Sequence, residues 1–140
     1  MTKPVSILSF RLSATFSAPA NPFLQKYPGS ALGGMYSTAK DLFKFTEALQ
    51  SGRLIKKETF NLMKAPKPEL NAPEYGYGVW LREGAGIWGH SGRLPGADAD
   101  LEIYGDTGVM VVLLSNKSNS NEPVQAKIRS LFFPQSLSLP

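Results

Sequence analysis

Residues 97–114 read ADADLEIYGDTGVMVVLL, and this stretch decides the fold. In its first half, residues 97–103, apolar residues alternate with acidic ones, which predicts a half-buried β-strand. The segment Gly105–Gly108 has the composition of a hairpin turn. The six residues that follow, Val109–Leu114, are all apolar. This second strand is therefore expected to be central in a sheet and covered on both faces.

Two more strands are predicted before this hairpin. Residues 87–92 form the nearer and shorter one. Residues 75–82 alternate larger side chains with Gly76 and Gly78, which predicts a strand with one close-packed glycine face. Its aromatic residues are interpreted as packing residues rather than as a ligand box: Tyr75, Tyr77 and Trp80.

Three carboxylates share one face of the strand at 97–103, namely those of Asp98, Asp100 and Glu102. A calcium site or an acid–base site is one interpretation of such a row. The alternative, a polar outer face of an amphipathic strand, is the favoured one because antiparallel sheets commonly expose one face to water.

Helices are predicted on both sides of the strands. Thr38 can cap the first helix, with Asp41 three residues later as a short variant of the capping box, and Gly52 is the stop signal. A second short helix fits residues 57–64. A last helix is marked by Val124, Ile128, Leu131 and Phe132. This order predicts an α+β fold, an antiparallel sheet of about four strands flanked by helices.

Composition excludes several classes of protein. The 140 residues contain no Cys, which excludes a disulfide scaffold, a thiolate zinc site and a cysteine nucleophile. No apolar run approaches the roughly 20 residues of a membrane span. Arg11 interrupts the short apolar stretch near the start, which argues against a signal peptide. The net charge is +4, but the basic stretch at 53–67 lacks aromatic residues placed for base stacking. Neither nucleic acid nor a cofactor is expected as a partner.

The segment Ser37-Thr38-Ala39-Lys40 permits two interpretations. A Ser at a helix start with a Lys three residues later places both on one helical face, where a neutral Lys can deprotonate the hydroxyl. The other interpretation is a simple helix start with a solvated Lys40.

His90 is the only histidine of the chain. Glycines on both sides, Gly89 and Gly92, permit close approach of a ligand to the backbone, and an imidazole can donate, accept or transfer a proton. A structural histidine at a strand end is the alternative. Because there is no second His and no Cys, no metal site is expected. Ser91 is not part of a triad with His90, since adjacent strand residues point to opposite faces.

Several stretches, taken in order, resemble the β-lactamase-related serine hydrolases, a family that holds class C β-lactamases, penicillin-binding DD-peptidases and related esterases. The similarity covers roughly residues 29–133. The segments that carry it are GGMYSTAKDL at 33–42, YGYGVW at 75–80, GHSG at 89–92, Pro95-Gly96, and the run ending in LSN at 114–116.

The resemblance implies roles for particular residues. In this family the nucleophilic Ser and its Lys lie far upstream of a segment like 33–42, and a Tyr-x-Asn element follows them. Ser37 and Lys40 therefore do not inherit those roles. His90-Ser91-Gly92 matches the family's third element, which is Lys-Thr-Gly in many members and His-x-Gly in others. The match implies that His90 faces the acyl site, that Gly92 lets substrate lie along the strand, and that the Arg93 amide is an oxyanion donor.

Three hypotheses of function are open, and the resemblance implies the first. It is a serine hydrolase fragment that keeps one wall of an acyl-transfer site for a small acyl substrate or a β-lactam, but lacks the Ser-x-x-Lys nucleophile of the family and is expected to be inactive alone. Residues 31–133 are then a partial β-lactamase-like domain, residues 1–30 a poorly specified arm and residues 134–140 a tail. The second is a non-catalytic module that binds a partner or dimerises through the strand at 109–114, whose edge pairs with an N-terminal strand in the family. The third is a minimal esterase that uses Ser37 and Lys40.

Overall fold

A computed structural model describes residues 29–31, 33–82, 86–105 and 107–132. The predicted arm, except for its last two residues, and the predicted tail lie outside the described residues. Within the described part, none of the helices has the length and apolarity needed to cross a membrane.

Four antiparallel strands form one sheet in the order β1-β2-β3-β4, with three helices packed on it. The prediction of an α+β fold with a sheet of about four strands is confirmed. The strands are β1 (Trp80–Arg82), β2 (Ile87–Leu94), β3 (Ala97–Tyr104) and β4 (Val109–Ser115), and the helices are α1 (Ala39–Gln50), α2 (Lys57–Met63) and α3 (Asn121–Phe132).

Helix α1 begins and ends where the sequence signals predict. The Thr38 hydroxyl accepts a hydrogen bond from the Asp41 amide at 3.1 Å and donates to the Asp41 carboxylate at 2.8 Å. The predicted cap is thus present, although Asp41 bonds the Thr38 hydroxyl rather than the Thr38 backbone amide that a full capping box uses. Beyond the helix, Gly52 adopts a φ of +77°, a left-handed conformation that glycine takes without a steric penalty.

One face of the sheet carries the apolar core. Trp88 of β2 and Ile103 of β3 are buried against Leu49 of α1 and Phe60 of α2. The Phe60 and Trp88 rings meet edge to face with their centroids 5.4 Å apart. Full burial of side chains of this size contributes roughly 1.5–3 kcal/mol each, so this cluster fixes helices α1 and α2 on the sheet.

The opposite face is polar but buried, which corrects the predicted solvated face of β3. Asp98 and Glu102 are 1% and 0% exposed because α3 covers them. The helix presents a polar stripe to the sheet, formed by Asn121, Gln125 and Arg129, which are all buried. The apolar residues by which the helix was predicted are half-buried or exposed instead: Val124, Ile128, Leu131 and Phe132.

Two strand predictions are also corrected. Only residues 80–82 of the segment 75–82 form a strand, because Gly78 has a φ of +76° that turns the chain before it. Strand β4 is the outermost strand among the described residues rather than a central one. Its apolar run reflects cover on its two faces, from α1 and α3. Periodicity reports which faces are covered and carries no information about which edge is paired.

Candidate functional site

The candidate site lies along an open edge of β2. Strand β1 pairs only with residues 87–89 of β2. Residues 90–94 pair with β3 on one side, and no described strand pairs with them on the other. An unpaired strand edge presents backbone N–H and C=O groups that another extended chain can bind.

The strand register sorts the predicted site residues onto two faces. His90 lies opposite Leu101, and Gly92 lies opposite Ala99. Because side chains two residues apart share a face, His90 and Gly92 lie on the same face as the buried Trp88, the one packed by α1 and α2. His90 itself is exposed.

Space is open beside Gly92. A Cβ atom built on this residue meets no heavy atom within 4 Å. His90 and Gly92 therefore border an accessible surface at the edge of the sheet.

Ser91 and Arg93 point to the other face, toward α3. Arg93 Nε donates to Asp98 Oδ1 at 3.3 Å. Asp98 Oδ2 in turn accepts from the amides of Ser120 and Asn121, at 2.8 and 3.0 Å, at the start of α3. The Arg93 side chain thus belongs to the anchor of α3, and only its backbone amide is available to a ligand at the β2 edge.

Sequence reasoning missed one member of the site, Tyr75. Its hydroxyl lies 2.8 Å from His90 Nε2, and the two rings meet edge to face with centroids 6.0 Å apart. Tyr75 is thus more than the packing residue that its strand pattern predicts. Local periodicity cannot predict a contact between residues that are 15 positions apart. The only local signal is the presence of Gly76 and Gly78 after the tyrosine.

A tight turn holds Tyr75 in this position. The Gly76 amide donates to the Val79 carbonyl at 2.8 Å, and the Tyr77 amide donates to the Met63 carbonyl at 2.9 Å. A Cβ atom on Gly76 would lie 2.0 Å from that same Met63 oxygen. The glycine is therefore required for the close approach of the turn to the end of α2.

The acidic row of β3 is an anchor for α3 rather than an open acid–base site. Glu102 accepts hydrogen bonds from the Tyr104 hydroxyl at 2.7 Å, from Gln125 Nε2, and from Arg129 Nε at 3.1 Å. Burial alone would lower the pKa of Arg129, but the hydrogen bonds and charge of Glu102 raise it. Among the described residues, no group of three or more His, Asp or Glu side chains is placed to hold a metal ion.

Asp100 is the least satisfied carboxylate of this row. Its Oδ2 atom is buried without a hydrogen-bond partner, and burial, against a smaller opposing effect of Asn121, raises its pKa. Its neighbour Asp98 accepts the hydrogen bonds from the start of α3. The charge of Asp100 is therefore stabilised by fewer hydrogen bonds than that of Asp98.

The structure separates Ser37 from helix α1. The N-cap is Thr38, with extended backbone angles, and the helix begins at Ala39. Ser37 therefore precedes the helix and does not share a helical face with Lys40, which removes the geometric premise of the nucleophile–base interpretation. Both side chains are exposed, and the Ser37 hydroxyl donates to the Thr38 carbonyl at 3.5 Å. No hydrogen bond joins Ser37 to Lys40 in the part of the chain that the structure describes.

Comparisons with known proteins found one family model and a solved structure that are similar to this chain. The family model described as Beta-lactamase matches residues 7–133. The chain is similar to the crystal structure of a penicillin binding protein from Bacillus halodurans, with 30% sequence identity and a TM-score of 0.66. The match covers 74% of this chain and 34% of that protein, so the chain spans about a third of its length. No curated protein matches the chain.

Proposed function

The chain belongs to the beta-lactamase family, and we propose that it forms one wall of an acyl-transfer site, defined as the outer edge of β2 with His90, Gly92 and the Arg93 amide. The substrate class is a small acyl compound, either an ester or a β-lactam. In the family an extended acyl group lies along this strand, and the backbone of the strand donates to its carbonyl oxygen.

The observation that carries the proposal is the open edge of β2. Residues 90–94 have a strand neighbour on one side only among the described residues, and the space beside Gly92 is empty. A neighbouring strand at that position would leave no backbone donors for a substrate. The exposed His90 lies two residues from Gly92 on the same face, within reach of a substrate bound there.

Acting by itself, the 140-residue chain is proposed to be catalytically incomplete. Covalent acyl transfer needs a nucleophile, a base and oxyanion donors held together. The wall supplies the donors, and Ser37 and Lys40 lack the shared face that a nucleophile and its base require. His90 can at most act on water as a general base, which typically contributes about 10²- to 10⁴-fold, against the 10⁶-fold or more that is usual for enzymes.

Labelling and binding measurements test the two halves of this proposal. We expect no covalent adduct with a fluorescent penicillin or a fluorophosphonate, and no burst with a chromogenic cephalosporin. In amide NMR spectra, benzylpenicillin is expected to shift the Gly92 and Arg93 signals, and Gly92→Val should abolish the shift by filling the open space. Slow cleavage of a p-nitrophenyl ester should disappear in His90→Ala and persist in Ser37→Ala.

Two outcomes would overturn the proposal. An adduct mapped by mass spectrometry to Ser37 would establish the minimal esterase instead. Benzylpenicillin shifts that avoid β2, or that persist in Gly92→Val, would remove the assignment of the wall.

A second candidate, a homodimerising module, is favoured by the surface beside β4. The outer edge of β4 has no strand neighbour among the described residues. Leu114 of β4 is exposed, at 45%. An apolar strand edge of this kind is a template for pairing with a second chain, so this function and the acyl-site wall occupy opposite edges of the sheet and do not exclude each other.

A further inference from the structure

We infer that Tyr75 is a positioning residue that fixes the tautomer of His90, so that the neutral imidazole presents an Nδ1–H donor to a carbonyl or carboxylate oxygen. The tautomer follows from the Tyr75–His90 contact alone. The role toward a substrate oxygen rests on the proposed acyl site.

The contact has the geometry of a real hydrogen bond. The Tyr75 oxygen and His90 Nε2 are 2.8 Å apart, within the usual range for such pairs. The ring centroids are 6.0 Å apart, so the two rings meet at their polar ends and do not stack face to face. The residue opposite His90 on β3 is Leu101, which offers no competing polar group.

The chemistry of the two groups decides the direction of the bond. A neutral imidazole has one N–H donor and one bare nitrogen that accepts. The oxygen lone pairs of a phenol are delocalised into its ring, so the hydroxyl is a good donor and a weak acceptor, whereas the bare imidazole nitrogen is a strong acceptor. The Tyr75 O–H therefore donates to Nε2, and the proton of neutral His90 resides on Nδ1.

The backbone around Tyr75 makes the arrangement persistent. The Tyr75 amide donates to the Ala72 carbonyl at 3.2 Å, and the Leu81 amide donates to the Glu74 carbonyl at 2.7 Å. Tyr75 and Trp80 also form an isolated antiparallel bridge. These bonds hold the tyrosine before a ligand arrives, which is the condition for a preorganised site.

A fixed tautomer changes what His90 can do. With Nε2 occupied by the hydroxyl, the nitrogen that remains open, Nδ1, carries a proton and has no hydrogen-bond partner among the described residues. An N–H group binds an oxygen acceptor, and His90 can act as a general base on water only when the Tyr75 hydroxyl leaves Nε2. The pair is thus arranged to bind a substrate oxygen through Nδ1–H. Without the Tyr75 hydroxyl, the proton should move to Nε2, and Nδ1 should become the bare nitrogen.

The chain's single histidine makes the tautomer directly measurable. Long-range ¹H–¹⁵N spectra of protein labelled at histidine would be recorded at increasing pH until the His90 signals no longer change, so that only the neutral ring is observed. We expect Nδ1 to resonate as the protonated nitrogen in the wild type. In Tyr75→Phe the population should move to the Nε2–H tautomer.

Tyr77→Phe is the matched control. Tyr77 is also an exposed tyrosine of the same turn, and its ring lies against Lys67 Nζ at 4.6 Å rather than against His90. Its spectrum should equal that of the wild type. An Nε2–H tautomer in the wild type overturns the inference whether or not Tyr75→Phe folds, and so does an unchanged tautomer in a folded Tyr75→Phe.

Benzylpenicillin and its methyl ester then separate the two oxygen sources. A shift of the Nδ1 signal with both compounds identifies a carbonyl acceptor, and a shift with the acid alone identifies a carboxylate. If neither compound shifts Nδ1, the role toward a substrate oxygen fails while the tautomer assignment stands on the first experiment. The failure of the acyl site and the failure of the Tyr75–His90 inference are therefore distinguishable.

Discussion

Two glycines of β2, Gly89 and Gly92, differ in the space that the fold leaves for a side chain. A Cβ atom on Gly89 would lie 1.9 Å from the Leu101 carbonyl oxygen, whereas one on Gly92 meets nothing within 4 Å. Because the first clash is with strand backbone that cannot move aside, Gly89→Ala should lower the free energy of unfolding by about 3 kcal/mol or more. Gly92→Ala should change it by less than about 0.5 kcal/mol. Urea unfolding measures both, and equal losses would contradict the close packing at Gly89.

The pH dependence of the free energy of unfolding should reveal the partly unsatisfied carboxylate of β3, Asp100. Burial raises the pKa of Asp100 above its unfolded value of 3.8, so the folded state binds this proton more tightly than the unfolded state. Its charge therefore costs stability as pH rises above about 4. Asp100→Asn should gain stability relative to the wild type between about pH 3 and pH 7.

Asp41 provides a control of opposite sign for this pH series. The hydrogen bond from Thr38, with a smaller contribution from Lys44, lowers the pKa of Asp41. Its contribution to stability is present above the unfolded value and is lost as pH falls through the folded one. Asp41→Asn should therefore lose stability relative to the wild type at neutral pH. If the urea midpoints of the two variants follow the wild type in parallel at all pH values, neither assignment holds.

At the scale of single elements, Thr38 caps helix α1 and its neighbour Ser37 does not. The Thr38 hydroxyl accepts from the Asp41 amide and donates to the Asp41 carboxylate, so Thr38→Ala should cost about 1 kcal/mol of stability. Ser37 lies before the cap, and Ser37→Ala should leave the free energy of unfolding unchanged within about 0.5 kcal/mol. Chemical denaturation of the two variants makes the comparison. A larger loss in Ser37→Ala would mean that the helix begins one residue earlier than the structure shows.

Helix α3 is attached through charge rather than through apolar packing. Arg129 and Glu102 are buried together, and both Nε and Nη2 of the guanidinium donate to the carboxylate. Removal of one partner leaves the other charge buried with only a distant partner at 3.9 Å, which is Arg82 for Glu102 and Glu122 for Arg129. Arg129→Met or Glu102→Leu alone should therefore cost about 3 kcal/mol, the lower end of the range for breaking a buried pair. The double variant should cost less than either single one, because two apolar side chains can pack where the ion pair was. A double-mutant cycle in urea measures this coupling, and additive losses would show that the pair is not the anchor.

At the scale of the whole molecule, the homodimer prediction depends on the edge of β4. Light scattering of the wild-type chain is expected to give the mass of a dimer. Leu114→Lys places a charge on the strand edge, which opposes pairing with a second chain, and should give a monomer. Leu62→Lys, on an exposed position of α2, is the matched control and should remain dimeric. A monomeric wild-type chain, or dissociation by both variants, would contradict association through β4.

The sequence by itself determined the order and kind of the elements and the family. The helix cap at Thr38, the apolar spacing of α1 and the alternation of β3 are local patterns, and each is present in the structure at the predicted place. The family follows from short motifs in a fixed order, and the match over residues 7–133 confirms it. Local propensity and short motifs are properties of neighbouring residues, so no tertiary contact is needed to recognise them.

Only the tertiary structure decided what covers each face and which residues meet across the sheet. The alternation of β3 is the same whether water or α3 lies over Asp98 and Glu102, and the spacing of Arg129 does not show that it reaches Glu102. The pairing of Tyr75 with His90 likewise depends on a turn that returns the chain to β2. In each case the deciding contact joins residues distant in sequence, and its free energy arises from burial and hydrogen bonds that exist only once the chain has folded.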